Sequence, residues 1–326
     1  MSLFRSFFPA AALLFLLGRA APLAAQQQAQ YSQYMNNNYI LNPGVAGTED
    51  YIDLKFSHRR QWVGLEGAPQ TYYVSAHSTV GKVMSQKAKT LRDRHRSFHA
   101  VGGLVYRDVT GPTSRTGVYG SYAYNMAFTP KLRGALGVSL GGQQFAVDGA
   151  QLRFRDPGEP LGSVSVWVPD AMLGAWVYSS TFYAGLSAGQ LFGNLLDFNY
   201  SRLGPASANN RLLRHYFFTA GVRLPLTPDW ALVPSVLIKS VRPAPLSADF
   251  NAKLKYQELF WVGASYRSFD SFAGLVGVAV NDLVTIGYSY DSGVSALRDY
   301  NVGSHEVLVG LRVPKKKKVV CVSRFW

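Results

Sequence analysis

Between Asp249 and Tyr256 the chain alternates without exception, with Phe250, Ala252, Leu254 and Tyr256 interleaved among Asp249, Asn251, Lys253 and Lys255. A period of two puts successive side chains on opposite faces of a strand, so one face here is oily and the other charged. The pattern recurs at Ile52, Leu54 and Phe56 against Tyr51, Asp53, Lys55 and Ser57. It recurs again at Val284, Ile286 and Tyr288 against Thr285, Gly287 and Ser289. Near the C-terminus Val307, Val309, Leu311 and Val313 oppose Glu306, Leu308, Gly310 and Arg312. No run of about 18 apolar residues follows the N-terminal region, which excludes a membrane-spanning helix. Yet 48% of the residues are apolar, with 31 Gly, 19 Phe and 19 Tyr. Apolar and aromatic content diluted to every second position fits a transmembrane barrel, where only alternate residues meet lipid.

A soluble antiparallel sandwich alternates too, so the links must separate the two. About fourteen strands are predicted, near 51–62, 69–79, 98–108, 115–127, 131–147, 166–178, 181–190, 214–224, 230–239, 249–256, 259–267, 271–280, 283–290 and 304–313. Short links fall at Thr129-Pro130, Ser179-Ser180, Leu226–Asp229, Gln257-Glu258 and Asn281-Asp282. Longer ones, at 148–165, 191–213, 240–248 and 291–303, fall between them. Short turns on one rim and long loops on the other are an outer-membrane pattern, with the short turns periplasmic, and an even strand count returns the C-terminus to the periplasm. The basic link 80–97 breaks that rule, as a docking element or simply a long loop. Trp62, Trp167, Trp230 and Trp261 lie at predicted strand ends, where interfacial girdles are built.

The ends of the chain fit the same compartment. Arg5 followed by Ala11–Leu17 and a small-residue stretch at Ala24-Ala25 reads as a signal peptide over residues 1–25. Residues 26–50, rich in Gln and Asn, form an N-terminal periplasmic arm or plug, residues 51–313 the barrel, and residues 314–326 a basic tail. Both termini are expected in the periplasm. The single Cys321 cannot form an intramolecular disulfide. The formal charge of +14, concentrated in Arg92, Arg94 and Arg96 and in Lys315, Lys316, Lys317 and Lys318, suits lipid phosphates or an acidic protein better than nucleic acid in an exported chain.

No catalytic or metal motif stands out. The six His are scattered, no zinc-ligand spacing occurs, and Gly102-Gly103 and Gly141-Gly142 read as strand glycines that ease curvature. No cofactor is implied. An enzyme would have to assemble Ser, His and a carboxylate from separate strands.

A series of short motifs is more specific: Tyr31-Ser32-Gln33-Tyr34, Leu41-Asn42-Pro43-Gly44, Arg60-Gln61-Trp62, Gly67–Thr71, Ile286–Asp291, Gly303-Ser304-His305-Glu306 and the terminal Cys321–Trp326. In this order and spacing the chain closely resembles the PorP/SprF family of the type IX secretion system of Bacteroidetes. The resemblance covers nearly the whole mature chain, although Val322-Ser323 separates Cys321 from Arg324 where the family usually ends in a form like Cys-Pro-Arg-Phe. It implies a non-enzymatic Gram-negative outer-membrane barrel that helps to secrete or retain large surface adhesins, including those of gliding motility. The implied partners are cargo with a C-terminal secretion domain and periplasmic parts of the machine. An outer-membrane channel for small or hydrophobic solutes is the alternative. Candidate partner contacts are Tyr31, Tyr34, Asn42, Pro43, Arg60, Trp62, Arg92, Arg94, Arg96, His305, Glu306 and Lys315–Lys318. Each also has an architectural reading: Asn42-Pro43-Gly44 as a turn, Arg60 and Trp62 as a rim cation and girdle aromatic, and His305 beside Glu306 as a rim or lumen polar pair.

Overall fold

The computed structural model describes residues 28–80, 97–152, 162–196, 211–268, 270–294 and 296–315. The strands run in chain order as β1 (Tyr51–Arg60), β2 (Gln70–Val80), β3 (Phe98–Thr110), β4 (Thr113–Ala127), β5 (Arg133–Val147), β6 (Val164–Tyr178) and β7 (Phe182–Gly189). They continue as β8 (His215–Val222), β9 (Leu224–Pro225), β10 (Trp230–Ser240), β11 (Ser247–Tyr256), β12 (Phe260–Arg267), β13 (Ser271–Ala279), β14 (Val284–Gly293) and β15 (Ser304–Pro314). The two-residue β9 continues β8 past Arg223, and both pair with β10. Every strand pairs antiparallel with its neighbours, and β1 closes on β15 over the register Tyr51↔Pro314 to Arg60↔His305. The result is a closed barrel of 14 staves without an open edge, which satisfies the backbone inside a lipid phase.

Alternation sets the two faces. Asp249, Asn251, Lys253 and Lys255 point inward and are buried, while Phe250 on the other face is 54% exposed. Leu136, Leu140, Leu173, Leu186, Val262, Phe272 and Val276 join Phe250 in an outer apolar belt, the surface expected to face lipid chains. Aromatic residues flank the belt at both ends. Trp230, Tyr256 and Phe260 pack together at one rim, with the Trp230 and Tyr256 rings 4.9 Å apart. At the other, Trp167, Tyr216, Phe272 and Tyr290 stand outward.

The links differ between the rims. One rim carries 128–132, 179–181, 226–229, 257–259 and 280–283; we call it the short-turn rim. The opposite rim carries 61–69, 148–163, 190–214 and 294–303, but also the tight links 111–112 and 268–270, so long loops are not uniform there. The strands β3 and β4 run further than their sequence pattern indicates, meeting across Gly111-Pro112, with Gly111 at φ +53°. The basic link expected to dock partners and the predicted signal peptide lie outside the described residues.

Two sequence expectations need correction. Trp261 sits on the inward parity of β12 with Arg267 and Ser265, under the Lys253 ammonium at 5.3 Å, and is not a girdle residue. His305 and Glu306 do not form a pair, because adjacent strand residues face opposite ways: His305 meets Tyr288 outside the barrel, at 2.6 Å from the hydroxyl, and Glu306 is wholly buried inside.

The barrel interior

Residues 28–50 lie inside the barrel. They contain three short 3₁₀ turns, Tyr34–Asn36, Asn38–Ile40 and Pro43–Val45. Backbone amides of the segment bond within these turns, and several of its side chains bond to the wall. Gln30 accepts from Arg267 Nη1 at 2.9 Å near the long-loop rim. Lower down, the Tyr34 hydroxyl accepts from the Asn251 amide, Lys253 Nζ donates to Asn36 Oδ1 at 3.0 Å, and Asn37 Nδ2 donates to Ser75 Oγ at 2.8 Å. Asn125 Nδ2 then donates to the Ala46 carbonyl at 3.2 Å, and the Gly47 amide approaches His77 Nδ1 at 3.3 Å, close to the short-turn rim where β1 begins. The inner segment thus runs from the long-loop rim toward the short-turn rim, where it passes into β1.

Asn42 performs two jobs. Its Oδ1 accepts from the Gly44 amide at 2.9 Å and caps the third turn, while its Nδ2 donates to the carbonyls of Ala175 and Leu186 at 3.0 and 3.1 Å. These bonds require the backbone of the turn to press against the wall. The wall allows it because Gly137 and Gly174 stand there: a Cβ on Gly137 would strike the Pro43 and Gly44 backbone, and one on Gly174 would strike the Asn42 side chain. Gly102 likewise leaves room for the Tyr39 hydroxyl, so its role is close approach as well as curvature.

The densest polar cluster joins three of the sequence motifs to Arg59 and Ser57 of β1. Arg59 Nη2 meets Asp291 Oδ2 at 2.6 Å and its Nη1 meets Glu306 Oε2 at 3.4 Å. Ser32 completes the cluster from the inner segment: its amide donates to Glu306 Oε2 at 2.7 Å, its hydroxyl donates to Asp291 Oδ2 and also accepts from Arg59 Nη1 at 2.8 Å. Ser57 Oγ donates to Glu306 Oε1 at 3.2 Å, and Gln33 Nε2 donates to the Glu306 carbonyl at 3.0 Å. One guanidinium faces two carboxylates at a buried site, so the donors of Ser32 and Gln33 are part of the charge balance.

The sequence-predicted residues divide by face. Tyr34, Asn42, Pro43 and Glu306 are buried and engage the protein's own wall. Tyr31 stacks edge-on to Tyr73 with ring centroids 5.1 Å apart. Arg60 is exposed on the outward parity beside His305, and it is Arg59 that carries the inner charge. Trp62 takes φ +45° past the end of β1, with its amide on Ser304 Oγ at 3.1 Å. Lys315 Nζ donates to the Thr79 carbonyl at 3.1 Å. Arg92, Arg94, Arg96, Lys316, Lys317 and Lys318 lie outside the described residues. Among the described residues no group of three His, Cys, Asp or Glu side chains is placed to hold a metal.

A second charged region lies at the short-turn end. Lys55 Nζ pairs with Asp53 at 2.6 Å and Lys255 Nζ with Glu258 at 3.1 Å. Glu49, on the last turn of the inner segment before β1, is buried, and burial next to Asp53 pushes its carboxyl up to about 8.

A family model described as type IX secretion system membrane protein PorP/SprF matches residues 23–311. Comparison with curated proteins gives no match. Among solved structures, the Acinetobacter baumannii outer membrane protein Omp33 is 11% identical with a TM-score of 0.44, covering 81% of this chain and 99% of that one. The Ralstonia pickettii toluene transporter TbuX is 10% identical with a TM-score of 0.48, covering 84% of this chain and 92% of that one.

Proposed function

Because the chain belongs to the PorP/SprF family of type IX secretion system membrane proteins, we propose that it is a closed docking barrel of that system rather than a conduit. The observation that carries this reading is the inner segment: residues 30–47 bond to the wall from Arg267 near one rim to His77 near the other. A passage for solutes would need that segment to leave, breaking buried bonds along its length. A docking element needs only rigid rims.

On this reading the short-turn rim faces the periplasm, where the basic residues 86–96 and Lys315–Lys318 meet acidic surfaces of the secretion machinery. That contact is salt-sensitive. The links on the opposite rim, with Arg60 and Trp62 at the base of one of them, hold the C-terminal domain of a secreted adhesin as it emerges. Outer-membrane lipid covers the apolar belt.

The test is to place a tag in the 148–163 link, extract outer membranes gently and identify what co-purifies. Recovery of secretion components or of an adhesin's C-terminal domain supports docking. A barrel recovered alone in mild detergent and low salt, yet conducting in planar bilayers, overturns it in favour of a channel.

A further inference from the structure

Beneath the inner segment, at the short-turn end of the lumen, a small cleft opens among β1 and β11–β15, its lining including Lys55, Lys255, Arg312, Trp261 and Asn36. Cations outnumber the anions that answer them there. Asp53 is engaged by Lys55 at 2.6 Å and Glu258 by Lys255 at 3.1 Å. Arg312 lies over the Tyr51 ring at 5.8 Å and forms no ion pair among the described residues. Behind the lining, Lys253, only 3% exposed, places its Nζ on the neutral Asn36 Oδ1 and over the Trp261 face, with no ion pair among the described residues. Glu49 does not make up the difference, since burial keeps it largely protonated at neutral pH and its Oε1 has no hydrogen-bond partner among the described residues.

Like charges held in a wall backed by lipid repel far more than they would in water. A guanidinium with free donors that shares a cleft with lysine side chains is a receptor for a small oxyanion, the planar fork taking two of its oxygens. We propose that this cleft is an oxyanion site that receives one carboxylate or phosphate group from the short-turn side. The inference rests on the cleft alone and is independent of the docking reading. The group comes either from free phosphate or from an acidic peptide segment, and the chemistry of recognition is the same for both.

Equilibrium dialysis of the full-length protein in detergent, with labelled inorganic phosphate at ionic strength fixed by chloride, tests it. Wild type binds phosphate saturably, and Arg312→Gln weakens binding by ~10- to 100-fold, the range for a lost charge-assisted bond. Glu258→Gln removes a competing carboxylate and tightens binding, so the site remains testable if a loss variant misfolds. Lys131→Gln, on an exposed turn, leaves binding unchanged. Competition by a hexaglutamate peptide at lower concentration than phosphate assigns the site to peptide carboxylates; weaker competition assigns it to the free ion. Absence of saturable binding in wild type, or equal binding in wild type, Arg312→Gln and Glu258→Gln, overturns the proposal.

Discussion

Arg59 and Asp291 lie 232 positions apart in sequence yet meet at 2.6 Å inside the barrel, two strands from one another, with Ser32 of the inner segment bonded to both. The contact ties the first strand, the penultimate strand and the inner segment at one point.

Removing Arg59 leaves Asp291 and Glu306 uncompensated in a buried site. Arg59→Met is expected to destabilise the barrel by roughly 3–5 kcal/mol. Arg59→Met combined with Asp291→Asn and Glu306→Gln recovers part of that loss. Urea unfolding in detergent, followed by tryptophan fluorescence, measures both. A single variant as stable as wild type contradicts the charge balance described above.

Gly174 and Gly120 provide a matched pair. An added Cβ at Gly174 meets the Asn42 side chain, whereas one at Gly120 meets nothing within 4 Å. Gly174→Val is expected to loosen residues 28–50, exposing them to protease and raising conductance in planar bilayers while the barrel itself persists. Gly120→Ala should behave as wild type in both assays.

Glu49 makes stability depend on pH in a defined direction. Its carboxyl titrates near 4.5 when exposed and is raised to about 8 in the folded protein, so the folded state holds the extra proton between these values. Its contribution is fully present below about pH 4.5 and is lost as pH rises through about 8. The groups that set its titration are Asp50, Asp53, Lys55 and Arg312. Glu49→Gln should flatten that part of the stability profile, measured as unfolding midpoints from pH 5 to 9.

The outer belt predicts a depth-dependent penalty. Leu140 is 59% exposed near the middle of β5, and Leu140→Arg should cost about 2–4 kcal/mol of folding into lipid vesicles. The same change at Phe128, beyond the end of β4, should cost about 0–1 kcal/mol.

The wall was legible from sequence because lipid on one side and a polar interior on the other impose period two, as at 249–256. Parity also held the clue to Arg59: Asp53, Lys55, Ser57 and Arg59 share one face. The Arg60-Gln61-Trp62 motif points instead to its outward neighbour. The pattern predicts a strand over 283–290, yet β14 continues to Gly293 and carries Asp291 inward. Residues 28–50 have no period to read. Their position depends on backbone carbonyls such as those of Ala175 and Leu186, and on glycines of distant strands, none of which leaves a local signature.

The seam between β1 and β15 also has a bearing on how the molecule is put together. The inner segment leads directly into β1, and the ring closes only when β1 zips to β15, bringing Arg59 opposite Glu306. The seam that shuts the ring and the bonds that hold its contents therefore share residues, Arg59 and Glu306 belonging to both.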